Sequence, residues 1–255
     1  MIIIKSRKEI EAMRAGGKIL AGIMQKLSEL VVVGKNTLEI DQLAEKFIVE
    51  IGGMPVFKGY GKEFGNPFPA TICASINESI VHGIPSEKMV LKDGDIMKID
   101  IGMRYQGMIT DMARTFAVGK ISEEAQKIMD VTRESLNVGI EKIQTGKSLS
   151  EYSLAVQKYV EMQGFSVVRD LVGHGVGKKL HEDPYIPNYF SKKNKDVVLR
   201  EGMTLALEPM VNVGTCKIRL ASDKWTYVTE DGKLSAHFED TVLVTKNGVE
   251  ILTRI

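Results

Sequence analysis

Asp100 and Asp111 lie in the segment KIDIGMRYQGMITDMARTF, residues 98–116, and their spacing indicates that they could act together. The segment is typical of two strands joined by a tight turn, in which Gly107 supplies a positive φ and a bulge. With the turn centred on Tyr105 and Gln106, Asp100 faces Asp111 to within the one residue that the bulge allows, and both carboxylates point to one face. Two adjacent like charges raise each other's energy unless a cation lies between them. The hairpin therefore predicts a metal site.

The hairpin alone leaves a second interpretation open, because an Asp in a sheet is more often a solvated residue on an edge strand. The flanking residues are apolar enough for both strands to lie in a core: Ile96, Ile99, Ile101, Met108, Ile109 and Met112. Further ligands from elsewhere in the chain are needed to decide between the two.

Glu208 and Glu239 are acids within otherwise apolar strands, LALEPMV and AHFEDTVLV. A bare carboxylate is costly there, and it persists only when it is paired or binds a metal. A salt bridge to one of the many Lys or Arg residues is the alternative. It would explain one such acid more easily than four.

The four histidines, His82, His174, His181 and His237, all fall in segments that contain Gly, Pro or acids, and none falls in a predicted long helix. His174 lies between two glycines, where the backbone can approach a bound group closely, so its imidazole is a candidate ligand. A tight turn with an incidental His is the alternative. The sequence GHGVGK has neither dinucleotide nor P-loop spacing.

Four acids carry four negative charges, which two divalent cations would balance. Asp100, Asp111, Glu208 and Glu239 with His174 as the single nitrogen donor suit Mn, Fe or Co at least as well as Zn. Two such ions can activate water and polarise a carbonyl, so the chemistry implied is metal-assisted hydrolysis.

Four helices are predicted around these segments. Ser6 and Glu9 form a capping box that begins a helix lasting until Gly34, and a second helix covers residues 38–51. A third covers 122–145, and a fourth begins at a capping box of Ser148 and Glu151 and ends at Gly164.

A shift of 112 residues superposes Gly34 on Gly146, Lys35 on Lys147, Glu39 on Glu151 and Gly52 on Gly164. This predicts a duplicated unit with a cleft between its copies. Strands are predicted at 71–76, 165–172, 203–211 and 235–244.

The bulk composition excludes several classes of function. The chain has 255 residues, 44% of them hydrophobic, and 34 Lys and Arg against 33 Asp and Glu. This balance supports neither a nucleic-acid partner nor a membrane surface. The start, MIIIKSRKEIEAM, has too few apolar residues for a secretory signal, and two cysteines make no disulfide framework. We expect a soluble, cytoplasmic protein.

Seven segments occur in an order that resembles the type I methionine aminopeptidases over essentially the whole chain: SINESIVHGIP, KIDIG, ITDMARTF, LVGHGVG, HEDP, LALEPMV and SAHFEDT. The resemblance implies the α/β (α+β) pita-bread fold. That fold has two pseudo-symmetric halves, here about 1–118 and 119–255 of one catalytic domain, with a curved antiparallel sheet covered by helices.

The resemblance also implies roles for individual residues. The expected metal ligands are Asp100, Asp111, His174, Glu208 and Glu239, which would hold two divalent ions, Co, Mn, Fe or Zn. Glu208 would also shuttle protons for the attacking water, His82 would contact the substrate backbone, and His181 would contact the carbonyl oxygen. The methionine pocket would contain Tyr60, Phe68, Cys73 and Trp225, and a monovalent cation would lie near Asn77, Ser79 and Ser235.

The implied activity is removal of the initiator methionine from peptides and nascent proteins, with a preference for a small second residue. A monomer that contacts the ribosome transiently is expected. The chain departs from many relatives at His237, where several have Gln, and at Asp240, where many have His or Asn. Neither position has an assigned role, and either could tune the metal ligands.

Two alternatives are kept. A proline-specific peptidase of the same fold usually carries an extra N-terminal domain, whereas here the helix after Ser6 begins the catalytic half directly. A non-catalytic binding protein with this fold typically loses ligands, and none is lost here.

Overall fold

The computed structural model describes residues 1–192 and 196–255. Its helices are α1 (Arg7–Ser28), α2 (Thr37–Glu50), α3 (Glu123–Ile140) and α4 (Leu149–Met162), with a 3-10 helix at Lys62–Phe64. The strands before α3 are β1 (Met54–Pro55), β2 (Ile72–Ile76), β3 (Ser79–Val81), β4 (Ile96–Tyr105) and β5 (Met108–Ala117). The strands after α4 are β6 (Ser166–Val167), β7 (Gly173–Gly175), β8 (Glu182–Ile186), β9 (Thr204–Leu207), β10 (Met210–Asn212), β11 (Ile218–Leu220), β12 (Tyr227–Thr229), β13 (Ser235–His237), β14 (Glu239–Thr245) and β15 (Gly248–Ile251).

One large antiparallel sheet carries the centre of the molecule. Its order is β1-β4-β5-β14-β9-β7-β8, with β2 paired to β4 and β15 paired to β14. Two smaller sheets, β13-β10-β6 and β11-β12-β3, adjoin it. Buried side chains of α1 and α2 pack with β2 and β4, and those of α3 and α4 pack with strands after α4. The predicted fold class, an antiparallel sheet covered by helices, is confirmed.

The helix starts follow the sequence signals closely. The Ser6 and Glu9 capping box is formed, and Asn36 caps α2 through its side chain. The box predicted at Ser148 is wrong: the Ser148 hydroxyl accepts from the Ser150 N–H, while Glu151 pairs with Lys147 at 3.9 Å. The first and third helices also end earlier than predicted, because a turn separates each from its glycine. None of the helices in the described ranges is both long and apolar enough to cross a membrane.

The two helix pairs are followed by the same backbone hydrogen bonds. The N–H of Gly34 donates to Leu91 O at 2.9 Å, and 112 residues later the N–H of Gly146 donates to Leu199 O at the same distance. Isolated β-bridges join Asn36 to Val90 and Ser148 to Val198 in the same way. This recurrence supports the predicted duplication, whereas its boundary near residue 118 stays a prediction.

Two predicted strands are each split between sheets, and each split lies beside an acid. The strand predicted at 203–211 breaks at Glu208 and Pro209 into β9 and β10, and the one at 235–244 breaks at Phe238 into β13 and β14. Glu208 therefore follows the last residue of β9 and Glu239 is the first of β14. The strand predicted at 165–172 is also shorter, since only β6 forms there.

The register of the central hairpin differs from the prediction by two residues. Gln106 and Gly107 both have positive φ, 47° and 84°, so they form a two-residue turn without a bulge. Asp100 consequently pairs with Ala113 rather than with Asp111, which pairs with Gly102. Because side chains alternate with a period of two, the shift leaves both carboxylates on one face.

Candidate metal centre

The pairing of three strands brings three acids together around a small residue. Asp100 in β4 and Glu239 in β14 both pair with Ala113 in β5, from opposite sides. Residues in one row across neighbouring strands point to the same face, and so does Asp111, two residues before Ala113. The methyl side chain of Ala113 leaves the space between the carboxylates open.

The same alternation places the remaining two expected ligands. His174 in β7 pairs with Ala206 in β9, and Ala206 pairs with Thr241 in β14. Thr241 is two residues from Glu239, and Glu208 is two residues from Ala206, so His174 and Glu208 lie on the face that carries the three other acids. All five expected ligands are thus gathered from five segments of one sheet.

The donor atoms are close and are not satisfied by other protein groups. Single ligand atoms of Asp111, His174 and Glu239 lie within 4.8 Å of one another. Oδ1 of Asp100, Oδ1 of Asp111 and Oε1 of Glu239 are buried and have no hydrogen-bond partner among the described residues. Within the same ranges no Lys or Arg forms an ion pair with these acids or with Glu208. Buried carboxylates in this state fit divalent cations, not salt bridges.

The protonation equilibria show how costly the cluster is without cations. Burial, with a smaller contribution from neighbouring carboxylates, holds the pKa of Asp100, Glu208 and Glu239 well above the usual range. Burial likewise raises the pKa of Asp111 to about 7. Burial lowers the pKa of His174 to about 3, which keeps its imidazole neutral and able to bind a metal.

Glu208 lies between two imidazoles. His174 Nε2 is 3.5 Å from Glu208 Oε1, and His237 Nε2 is 3.4 Å from Glu208 Oε2. Single ligand atoms of Glu208, His237 and Glu239 also lie within 4.8 Å of one another. A second imidazole, that of His237, therefore lies beside the site, whereas the sequence predicted a single nitrogen donor, His174.

Asp240 lies on the opposite side of β14 from Glu239. It is fully buried and pairs with Arg114 at 2.6 Å and with Arg254 at 2.7 Å. Arg114 also donates to the backbone carbonyl of Glu239. Asp240 thus holds the arginine that contacts the backbone of an expected ligand.

A cavity of about 270 Å³ opens over the four acids and His174, and it contains every side chain predicted for substrate contact. Those predicted side chains are Tyr60, Phe68, Cys73, His82, His181 and Trp225. The rings of Phe68 and Trp225 meet edge to face with centroids 5.2 Å apart. Six aliphatic or phenyl wall residues were missed, because nothing in their types or spacing separates them from core residues: Phe57, Val81, Leu171, Val172, Leu180 and Met210.

The two histidines predicted for substrate contact, His82 and His181, both line the cavity. His82 has a positive φ of 57°, and burial lowers its pKa to about 4. His181 lies at the exposed side, where its Nδ1 is 2.6 Å from the Tyr60 hydroxyl and its ring meets that of His174 at right angles. Both imidazoles face the space above the acids.

The position expected for a monovalent cation contains a lysine. Lys98 Nζ donates to Asn77 O at 2.7 Å and to Ser235 O at 3.0 Å. The residue is 1% exposed, and burial lowers its pKa to about 7. Asn77 and Ser235 are two of the three residues expected around the ion, and their carbonyl oxygens therefore already accept hydrogen bonds from Lys98. Ser79 is the third. A separate ion does not fit there.

Comparison with known proteins agrees with this architecture. The model of metallopeptidase family M24 matches residues 11–246. The chain is 50% identical to the methionine aminopeptidase of Clostridium acetobutylicum over 253 residues, 99% of each chain. The crystal structure of the Thermotoga maritima methionine aminopeptidase superposes with a TM-score of 0.95 at 44% identity, with 100% of both chains covered.

A more distant structure shares the fold. The prolidase from Pyrococcus horikoshii superposes with a TM-score of 0.79 at 25% identity and covers 100% of this chain, but only 64% of its own length is matched. The pita-bread fold and the resemblance to the methionine aminopeptidases are confirmed. From its full-length match and its architecture, we conclude that the chain belongs to metallopeptidase family M24.

Proposed function

We propose that the protein removes the initiator methionine from peptides and nascent proteins by hydrolysis, at a centre of two divalent metal ions. The observation that carries this proposal is the row of Asp100, Ala113 and Glu239, with Asp111, His174 and Glu208 on the same face, directly beneath an apolar cavity. The 50% identity to a methionine aminopeptidase supports the substrate.

The five ligands would hold the ions, which are Co, Mn, Fe or Zn by the chemistry of oxygen donors with imidazole. When bound, two such ions supply Lewis acidity that activates water and polarises a carbonyl. Asp100, Asp111 and Glu239 contribute the oxygens that lack other partners. His174 would bind an ion through one ring nitrogen. Its other ring nitrogen, Nδ1, is 2.9 Å from the Gly175 carbonyl oxygen, and this contact orients the ring.

Glu208 would move the proton. Its carboxylate faces the cavity, and burial raises its pKa, so it can take a proton from water and return it to the leaving amine. The imidazoles of His174 and His237 flank the carboxylate, at 3.5 and 3.4 Å. A residue with an ordinary acidic pKa would release the proton to solvent instead.

His82 and His181 would position the substrate. When the Tyr60 hydroxyl donates to Nδ1 of His181, the proton of that imidazole is on Nε2, which can donate to the substrate carbonyl as charge develops there. The ring of His82 would contact the substrate backbone. Both contacts strengthen towards the transition state, which is what raises the rate.

The methionine side chain would enter the apolar part of the cavity beside Phe68, Cys73 and Trp225. Sulfur makes favourable contacts with the edges of aromatic rings. We expect a preference for a small second residue from the resemblance to the methionine aminopeptidases. The monomeric state, the cytoplasmic location and a transient ribosome contact stay predictions.

The test is peptide hydrolysis with and without metal. Protein treated with a chelator is expected to lose activity on Met-Ala-Ser and to regain it with Mn, Fe or Co. His174→Ala is expected to lower activity by at least about 100-fold because it removes a ligand. Lys88→Ala, at an exposed lysine, is the matched control.

Substrate identity is tested by changing one residue at a time. Ala-Ala-Ser lacks the thioether and an Xaa-Pro dipeptide matches the distant prolidase, and both are expected to be poor substrates. Full activity after metal removal would overturn the metallopeptidase mechanism. Preference for Xaa-Pro over Met-Ala-Ser would overturn the substrate assignment.

A further inference from the structure

Lys98 is a buried cationic side chain without an acidic partner. It is 1% exposed as the third residue of β4, and no carboxylate in the described part of the chain lies within ion-pair distance of it. Lysine is almost never fully buried unless it is paired. Its Nζ contacts two backbone carbonyls instead, those of Asn77 and Ser235.

Those two carbonyls are aimed at Lys98 by rigid local structure. Asn77 occupies the turn between β2 and β3 with a φ of 50°, its side chain donates to Asp95 at 2.8 Å, and it accepts from the Ile96 N–H at 3.0 Å. Ser235 begins β13, its N–H donates to Asn77 O at 3.1 Å, and its hydroxyl donates to Val211 O at 3.0 Å. The two oxygens therefore converge without help from Lys98.

Converging carbonyl oxygens from separate segments are the usual surroundings of a hard cation. Here Nζ occupies the point at which an ion would meet both oxygens, 2.7 and 3.0 Å away. An amine has two N–H donors and an ammonium has three, so both carbonyls are satisfied in either state. An additional ion between the same oxygens would overlap with Nζ.

We propose that Lys98 is a built-in replacement for a structural monovalent cation. Its side chain joins the β2–β3 turn to β13, two segments more than 150 residues apart in the chain. The fold is therefore independent of Na⁺ and K⁺. This role concerns the structure around the site and does not depend on the reaction.

The proposal is tested by two substitutions that remove the donor in different ways. Lys98→Ala removes the hydrogen bonds from Nζ to Asn77 O and Ser235 O, leaves Asn77 O with the Ser235 N–H, and opens a space that an ion can enter. Lys98→Met removes the same two hydrogen bonds, but its unbranched side chain fills the space. Loss of two buried hydrogen bonds destabilises both variants. Only Lys98→Ala is expected to recover when Na⁺ or K⁺ is supplied.

The measurement is the thermal unfolding midpoint of metal-loaded protein in choline chloride, NaCl and KCl at equal ionic strength. Wild type and the control Lys88→Ala are expected to unfold at the same temperature in all three salts. Both Lys98 variants are expected to unfold about 5–10 °C lower in choline. Lys98→Ala should regain several degrees in KCl or NaCl by mass action, and Lys98→Met should not.

Two outcomes overturn the proposal: a wild type whose midpoint rises in NaCl or KCl relative to choline, or a Lys98→Ala variant that is indifferent to the salt. Should Lys98→Ala fail to fold, ²³Na NMR of wild type decides. Saturable broadening of the sodium signal at one site contradicts the proposal, and its absence supports it. These readouts stand apart from peptide hydrolysis, so failure of the proposed function would not affect them.

Discussion

Ala113 is the residue on which the geometry of the acid cluster depends most directly. Its neighbours across the two ladders are Asp100 and Glu239, and its own side chain is fully buried on the same face. Adjacent strands are about 4.8 Å apart, so the two acids can approach a shared ion only if the residue between them is small. Alanine satisfies this requirement, and glycine would cost strand stability.

Ala113→Val is therefore expected to abolish tight metal binding. Two added methyl groups would lie between the carboxylates, and the affinity for Mn²⁺ should fall by about 10–100-fold or more, as measured by isothermal titration. Ala117→Val makes the same change four residues later in β5 and is the control, with binding expected to match wild type. Unchanged affinity in Ala113→Val would show that the ions do not lie over this row.

At the scale of elements, the β4–β5 turn sets which residues of the hairpin pair. A two-residue turn needs positive φ at both positions, and Gln106 and Gly107 supply it at 47° and 84°. Gly107 has open space around it, so a side chain there would meet no clash, only backbone strain. The register, and with it the Asp100 to Ala113 pair, depends on this turn.

Gly107→Ala is expected to lower the free energy of unfolding by about 1–2 kcal/mol. The identical change at Gly22, in the interior of α1 and also with open space, is expected to raise it by about 0.5–1 kcal/mol. Urea denaturation of both variants provides the comparison. A stabilised Gly107→Ala would mean that the turn does not require a positive φ at this position.

At the scale of the whole molecule, the two layers of helix and sheet enclose a cluster whose charge is balanced only when cations are present. Burial by both parts of the chain raises the pKa of its acids, and Asp111 changes from 3.8 to about 7. An acid whose pKa is higher in the folded state binds its proton preferentially there. Metal-free protein therefore loses the stability contributed by Asp111 as the pH rises from about 4 to about 7.

The stabilisation by Mn²⁺ is accordingly expected to increase with pH. Each proton that the ions displace contributes about 1.4 kcal/mol per pH unit, so the midpoint difference between Mn²⁺-loaded and chelated protein should grow by about 3–6 °C per pH unit between pH 5.5 and 7. His82 and His174, with pKa values lowered to about 4 and about 3, act in the opposite direction below pH 6.5. Comparing loaded with chelated protein at each pH cancels the contribution of His82.

Ala113→Val provides the control for this pH series, since it keeps every acid but is expected to bind no ion tightly. Its midpoint should be the same with Mn²⁺ and with chelator at each pH. A wild-type difference that stays constant or shrinks as the pH rises would contradict proton displacement from the cluster.

Features that depend on neighbouring residues or on simple charge balance could be predicted from the order of the residues. The Ser6 capping box involves residues three positions apart, and the acids in apolar strands required partners wherever they lay. The face of the Asp100 and Asp111 carboxylates was also predictable, because an error of two residues in register leaves the alternation of side chains unchanged.

Which distant residues share a row depends on how the strands pair in the folded chain. That Ala113 separates Asp100 from Glu239, and that Lys98 reaches the carbonyl of Ser235, depends on pairing between segments more than 100 residues apart. Lys98 also reaches the carbonyl of Asn77, 21 residues earlier in the chain. The division of residues 235–244 between two sheets likewise depends on tertiary contacts. Such contacts gain their free energy from burial and from hydrogen bonds between backbone groups, which every sequence has. The residue types near each contact therefore do not predict its partner.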